Sequence, residues 1–211
     1  VLLKTNTQIK NILAATSSHI LGVDEVGRGC IAGPVCAGVV IFRPESKSDL
    51  SRYVDSKTIN EEKREALAIE ITQEHFCALG WSTVDEIDEL NIRQASLLAM
   101  KRAVDLLINN KKINSKDCLA LVDGRDVIPD LVLLEQHSVI KGDQLVRQIS
   151  AASIVAKVAR DNLMKEFALS HAEYGFEKHK GYGTEQHRNA IKKFGITEQH
   201  RKTFGGVKEY I

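Results

Sequence analysis

The sequence predicts an α/β core followed by a helical carboxy-terminal part. Three observations carry this. Short apolar, β-branched runs of strand length occur at residues 20–26, 35–42 and 118–122. Long segments of helical character lie between and after them, at residues 85–109 and 144–171. The last stretch holds a Gly-rich segment and a short helix with its own start and stop signals. Strands alternating with helices in this way make an α/β domain. At 211 residues the chain fits one catalytic domain. Residues 1–170 are expected to form its core, and residues 171–211 a helical substrate-binding region of the same functional domain.

Residues 20–26 and 35–42, separated by a Gly-rich stretch, read as adjacent strands of a buried sheet. From Asn60 a segment rich in Glu, Lys, Arg and Ala reads as a helix with Ala66, Ile69 and Ile71 inward, and residues 76–84 return as strand. Residues 85–109 form the clearest helix. Leu90, Leu97, Leu98, Val104, Leu107 and Ile108 make its apolar face, with Arg93, Lys101, Arg102 and Asp105 mostly outside it. The short strands 118–122 and 138–140 each deliver an aspartate at the end, Asp123 before Gly124 and Asp143 after Gly142. In the second long helix, residues 144–171, the small side chains of Ser150, Ala151, Ala152, Ser153, Ala156 and Ala159 would let it lie very close to the sheet. Beyond the Gly-rich residues 179–183, Thr184 suits the N-cap of a helix that runs to Phe194 and stops at Gly195.

Hydrophobic residues at 43% and charged residues at 27% are ordinary for a globular domain and argue against long disorder. Cys30, Cys36, Cys77 and Cys118 form no CxxC pair and read as buried free thiols of a reducing compartment. The longest apolar stretch, residues 35–42, is far shorter than the roughly 20 residues a membrane helix requires. Leu2 and Leu3 run straight into Lys4, Thr5 and Asn6, unlike an export signal, so a cytoplasmic location is expected. The net charge of +1 is unevenly spread, with eleven basic against seven acidic residues from Ala156 onward and an acidic excess before it. An excess this small suits a solvated helical surface unless a motif says otherwise.

Asp24 and Glu25 lie inside an apolar strand, where charge is costly unless paired or bound to metal. Neighbours on a strand face opposite ways, so both carboxylates reach one site only if the strand ends or bulges there, or if one acts through water. Alone, the pair suits a salt-bridged edge strand, Asp123 a turn and Asp143 a helix cap. Together, four carboxylates fall at strand ends or a helix start, the edge where α/β proteins build sites. Acids so grouped repel one another and call for a hard cation, Mg²⁺ or Mn²⁺. Zinc lacks His or Cys at ligand spacing. The run Gly27-Arg28-Gly29-Cys30-Ile31-Ala32-Gly33 misses the dinucleotide pattern by one residue. It suits either a tight turn or a backbone that approaches a sugar-phosphate closely, with Arg28 on a phosphate.

Six motifs in order now stand together. Asp24-Glu25-Val26-Gly27-Arg28-Gly29 with Ala32-Gly33-Pro34-Val35 comes first, then Asp55-Ser56-Lys57, Val122-Asp123-Gly124 and Gly142-Asp143. Residues 151–157 with Arg160-Asp161, and His179-Lys180-Gly181-Tyr182-Gly183-Thr184, complete the set. The chain closely resembles the ribonuclease HII family from about residue 20 to residue 204. The type III relatives carry a different glycine pattern. The resemblance implies an RNase H-like mixed sheet flanked by helices, with a helical carboxy-terminal region beside the substrate. It implies metal binding and catalysis by Asp24, Glu25, Asp123 and Asp143, and reading of a ribonucleotide by Gly27, Arg28 and Gly29. Lys57, Lys157, Lys180 and Tyr182 join as substrate-binding residues, Tyr182 packing on the sugar after the ribose, with Arg188, Lys192 and Lys193 as candidates for tracking phosphates.

The implied activity is hydrolysis of RNA in RNA/DNA hybrids and 5′ of ribonucleotides embedded in duplex DNA. It would use two Mn²⁺ or Mg²⁺ ions, leave 3′-hydroxyl and 5′-phosphate ends, and be carried out by a monomer with no membrane partner. Cys30 and Gln144 depart from the family pattern at positions where smaller residues, or proline, are usual. A DNA-junction nuclease of the same fold would share the acids without the ribose requirement, and a silent hybrid-binding module would show no metal-dependent turnover.

Overall fold

The computed structural model describes residues 1–15, 19–131 and 134–211. Along the chain run β1 (Leu2–Leu3), α1 (Asn6–Ala15), β2 (His19–Val26), β3 (Val35–Ile41) and α2 (Glu61–Glu74). Next come β4 (Phe76–Ser82), α3 (Val84–Leu90), α4 (Ile92–Lys111), β5 (Cys118–Asp123) and β6 (Glu135–Val139). The last are α5 (Gly142–Leu145), α6 (Arg147–Ser170), α7 (Phe176–His179) and α8 (Glu185–Phe194). The strands form one mixed sheet in the order β1-β6-β5-β2-β3-β4. β2 pairs in parallel with β5 and antiparallel with β3, so it lies between the parallel and antiparallel halves.

Alternation along the strands divides the core in two. Leu21, Val23, Val35, Val39, Ala120 and Val122 pack beneath α4, whereas Val40 meets Ile71 of α2 and Ala151 and Ile154 of α6 on the other face. The small residues of α6 do bring it onto the sheet. A Cβ on Gly22 would lie 2.1 Å from the carbonyl carbon of Gln148, and one on Gly38 would lie 2.5 Å from the carbonyl oxygen of Ala152. Sheet and helix therefore touch backbone to backbone, which fixes where the first turns of α6 stand. A third cluster joins Ile31 and Ala32 to Met164 and to Tyr174, Phe176, Ile191 and Val207, so the carboxy-terminal segment packs directly on the Gly-rich loop after β2.

Several expectations are corrected in detail. In α2 the inward residues are Leu67, Ala68 and Ile71, while Ile69 is 58% exposed and Ala66 is exposed too. The contact with α6 selects the i, i+4 pair Leu67 and Ile71. The expected strand at 76–84 ends at Ser82, because Thr83 and Glu86 form a capping box that starts α3. The helix at 85–109 is two helices, interrupted at Asn91, whose φ is 68° and whose side chain accepts from the amides of Arg93 and Gln94. Leu90, on the wrong side of that break, is exposed. The helix at 144–171 is likewise split, at the extended residue Val146 with φ −126°. Helical periodicity continues across both breaks, so the sequence pattern hides them.

Candidate active site

The site forms where β2 and β5, parallel neighbours, end side by side. Asp24 is paired opposite Gly38 and Glu25 opposite Ala37 in an unbroken ladder, so no bulge is present. The strand simply stops at Val26, and Gly27, at φ +98°, turns the chain away. Asp24 points to the α6 face and its Oδ1 accepts the Glu25 amide at 2.8 Å. At a strand end both carboxylates open onto the same space, which answers the question raised by their opposite facings.

That space is a cavity of about 360 Å³ lined by Asp24, Glu25, Gly27, Arg28, Gly29, Ser56, Lys57, Asp123, Ser153, Lys157 and Tyr182. Nine of the eleven residues expected to bind metal or read the substrate thus line it, all but Asp143 and Lys180. Asp143 adjoins it. Its carboxylate lies 3.6 Å from the Lys57 ammonium, and its main-chain oxygen accepts from the Ser150 hydroxyl at 2.7 Å. Asp143 stands inside the first turn of α5 and makes no side-chain cap, so its ordinary structural use is not realised. Lys180 turns its ammonium to the Glu177 carbonyl and contributes to the site's surroundings only through its own carbonyl. Lys192 and Lys193 lie exposed on α8, and Arg188 stands beside Gly183 and Gly206.

Burial and mutual repulsion strain the acids electrostatically. Burial, then the charges of Glu25 and Asp123, hold the Asp24 carboxyl well above the usual carboxylate range, against a hydrogen bond from Ser153. Burial pushes Glu25 up to about 7 despite the Arg28 guanidinium 3.1 Å away. Asp123 is raised by burial and then by Asp143, with backbone amides pulling the other way. Burial opposes the charge on Lys57, but Asp143, Asp55, Asp24 and Asp123 more than offset it and raise its pKa. Among the described residues no three His, Cys, Asp or Glu side chains are drawn together into a closed metal cage. The donors available are nevertheless carboxylates without histidine or thiol among the lining residues, a set suited to a hard divalent cation.

Tyr182 is 44% exposed, so it does not close the core under its loop. Its backbone bridges to Cys30, its ring faces Gly29, and the Lys157 ammonium stands 5.9 Å from the ring centre. Lys157 is anchored by Asp161 at 2.7 Å. The two departures from the family pattern are accommodated locally. Cys30 is buried with its thiol toward the Lys180 carbonyl, and Gln144 reaches the Asp55 carboxylate at 3.5 Å. Sequence reasoning missed Ser56 and Ser153, whose hydroxyls meet at 3.0 Å on the cavity wall. Both fall inside segments that carry the family resemblance, Asp55-Ser56-Lys57 and residues 151–157, and that was the signal that could have found them.

The ribonuclease HII family model matches residues 21–207, a span that contains all these elements. The chain belongs to the ribonuclease HII family. It is 44% identical over 192 residues to the ribonuclease HII of Pelagibacter ubique, covering 91% of this chain and 98% of that protein. Among solved structures, that of the PCNA:RNase HII complex from Archaeoglobus fulgidus superposes with a TM-score of 0.71 at 25% identity, over 89% of this chain and 95% of that one. Bst-RNase HIII in complex with Mn²⁺ shares the fold, with a TM-score of 0.71 at 17% identity over 92% and 70% of the two chains. The RNase H-like mixed sheet flanked by helices is therefore established, and this family member is an endoribonuclease. No described helix is long and apolar enough to cross a membrane.

Proposed function

We propose that this ribonuclease HII hydrolyses the RNA strand of RNA/DNA hybrids and cuts 5′ of ribonucleotides embedded in duplex DNA, leaving 3′-hydroxyl and 5′-phosphate ends. One observation carries the reading: the acids at the ends of β2 and β5 share a cavity with the Gly27-Arg28-Gly29 loop and the exposed ring of Tyr182. Acids, a phosphate-binding arginine and a stacking ring are the parts a metal-dependent nuclease requires. Asp24, Glu25, Asp123 and Asp143 would hold two divalent ions, Mg²⁺ or Mn²⁺. When bound, such ions supply an activated water and stabilise the leaving oxygen of an in-line displacement.

The chain's own residues do the rest. Arg28, half exposed beside Glu25, meets a phosphate of the cut strand. The side-chain-free backbone around Gly29 receives the ribose and its 2′-hydroxyl, the group that separates RNA from DNA. Lys57 and Lys157 add positive charge along the cavity wall, and Tyr182 packs against the next sugar. Residues 171–211 act with the core as one functional domain, through the cluster shared with Ile31 and Ala32. Four free thiols suit a monomer working in the reducing cytoplasm.

Three duplexes test the reading: DNA with one ribonucleotide, a continuous RNA/DNA hybrid, and all-DNA, each with Mg²⁺, Mn²⁺ or chelator. Cleavage of the first two, only with metal and leaving extendable 3′ ends, is expected. Cutting of the all-DNA duplex would sink it.

A further inference from the structure

Arg160, on α6, and Arg201, in the carboxy-terminal segment, are completely buried, a rare state for side chains that stay charged. Among the described residues neither takes part in an ion pair. Asp161, next to Arg160, is occupied by Lys157 at 2.7 Å and Arg64 at 3.9 Å. Both guanidiniums bond instead to backbone carbonyls. Arg160 donates from Nε, Nη1 and Nη2 to Pro34 at 2.9 Å, Lys180 at 2.8 Å and Ala32 at 3.0 Å. Arg201 donates from the same three nitrogens to Gly33 at 2.9 Å, Arg28 at 3.0 Å and Gly27 at 2.7 Å.

These bonds gather the carbonyls of residues 27, 28, 32, 33 and 34 onto two buried cations and tie the loop to the Tyr182 segment through Lys180. The loop's glycines are fitted to this arrangement. A Cβ on Gly27 would lie 2.1 Å from Arg160 Nε, and one on Gly33 would lie 2.5 Å from Met164 Sδ and 3.2 Å from Arg160 Nη2. A Cβ on Gly29 would meet only the Tyr182 ring, at 3.9 Å, so that residue leaves its space to the cavity. With the carbonyls turned inward, the amides of Arg28 and Gly29 find no acceptor among the described residues. Free amides above buried positive charge make an anion-receiving surface. Burial, then the Arg160 charge, pushes Arg201 down to about 10, still fully charged at neutral pH. A buried ion without a counter-charge is costly, and each guanidinium obtains three charge-assisted bonds here, five of the six going to this one loop and the sixth to Lys180.

We propose that Arg160 and Arg201 are positioning residues for the ribonuclease reaction. Their guanidiniums preset residues 27–34 in the shape that receives the sugar-phosphate backbone, and their uncompensated charge draws its phosphate. This rests on the ribonuclease reading above. A lysine at either position keeps the charge but loses the planar fork of donors, so the loop loosens while the local potential survives.

The test compares wild type, Arg160→Lys, Arg201→Lys and a stability control, Leu107→Ala, a buried residue of α4 on the other face of the sheet. Cleavage of the single-ribonucleotide duplex is measured at a temperature where each chain is fully folded. Each lysine variant should raise KM roughly tenfold, the loss of a preorganised contact surface. Leu107→Ala should melt earlier with wild-type KM. Wild-type KM in both lysine variants, with only a lower melting temperature, would overturn the proposal. If neither lysine variant folds, hydrogen exchange of the wild type decides. The amides of Ile31 and Gly33, bonded to Gly181 at 2.9 Å and Gln199 at 2.7 Å, should then exchange only through global unfolding. Exchange through an easier local opening would overturn the clamp. A wild type that cuts none of the ribonucleotide-containing duplexes refutes the ribonuclease reading, while the exchange result still judges the clamp.

Discussion

The Oδ1 of Asp123 accepts the backbone N–H of Gly142 at 2.6 Å. This bond joins the end of β5 to the start of α5 and so carries Asp143, one residue further on, to the same edge of the sheet. An asparagine oxygen accepts the same bond. Asp123→Asn should therefore keep the fold, with a melting temperature equal to or above wild type, because burial and Asp143 disfavour the Asp123 charge. Turnover should fall by at least about two decades for want of a ligand charge, with substrate binding largely retained. Near-normal turnover of the folded variant would remove Asp123 from the site.

Arg28→Ala should weaken substrate binding several-fold, as expected for one lost phosphate contact, and reduce its dependence on salt. Preference for ribonucleotide-containing duplex should survive, because the proposed reading gives the ribose to the loop backbone and not to this half-exposed side chain. If the variant gains activity on all-DNA duplex, the side chain is the discriminator.

For Tyr182 the ring and the hydroxyl separate cleanly. Stacking on nucleic acid is worth about 1–3 kcal/mol, so Tyr182→Ala should slow junction cleavage by roughly one to two decades. Tyr182→Phe should keep most activity. Because the ring is 44% exposed, neither change should lower the melting temperature much. Equal losses on junction and continuous-hybrid substrates, with a clearly earlier melt, would mean a structural role.

Gly22→Ala should destabilise the protein severely, by roughly 3 kcal/mol or more, since its methyl would lie 2.1 Å from the Gln148 backbone. Helix α6 would have to lift from the sheet, taking Ser153 away from Asp24. Chemical denaturation measures the loss. A change below about 1 kcal/mol would show that the contact relaxes freely.

His187 and His200, both fully buried, share a hydrogen bond between their Nε2 atoms at 3.1 Å, and His187 Nδ1 is bonded to the Tyr182 carbonyl at 2.9 Å. Burial is the main cause that pushes both down to about 4. An unfolded histidine titrates near 6.5, so below that pH the unfolded chain takes up protons the fold refuses. The pair's contribution is thus intact above about pH 6.5 and is lost progressively toward pH 4, by up to about 3 kcal/mol for each imidazole. The raised acids Asp24, Glu25 and Asp123 act in the opposite sense. The His200 contribution is therefore isolated by the difference between wild-type and His200→Gln unfolding profiles, which should converge as pH falls from 7 to 4.5. Parallel profiles would exclude His200 as an acid-labile group.

Much of the fold and most of the site are legible along the chain because their signals are local. Strands show as β-branched runs, Thr184 and Gly195 mark the ends of α8, and an aspartate just beyond an apolar run marks the end of β5. The breaks at Asn91 and Val146 are not legible, since the apolar period runs through both and only the packed backbone interrupts it. Nor does the sequence tell that Asp143 sits outside the cavity wall beside Lys57, or that Lys180 serves through its carbonyl.

The sequence by itself determined the five longer strands, the acidic residues, the glycine loop and the family, because each is written in side-chain type at short spacing; the two-residue β1 carries no such signal. Only the tertiary structure decided that Arg160 and Arg201 lie beneath that loop. Their partners are main-chain oxygens up to 174 residues away, which every residue possesses and no side chain announces. An arginine bonded to carboxylates leaves a charge pattern to find; one bonded to carbonyls becomes visible only when the backbone is in place.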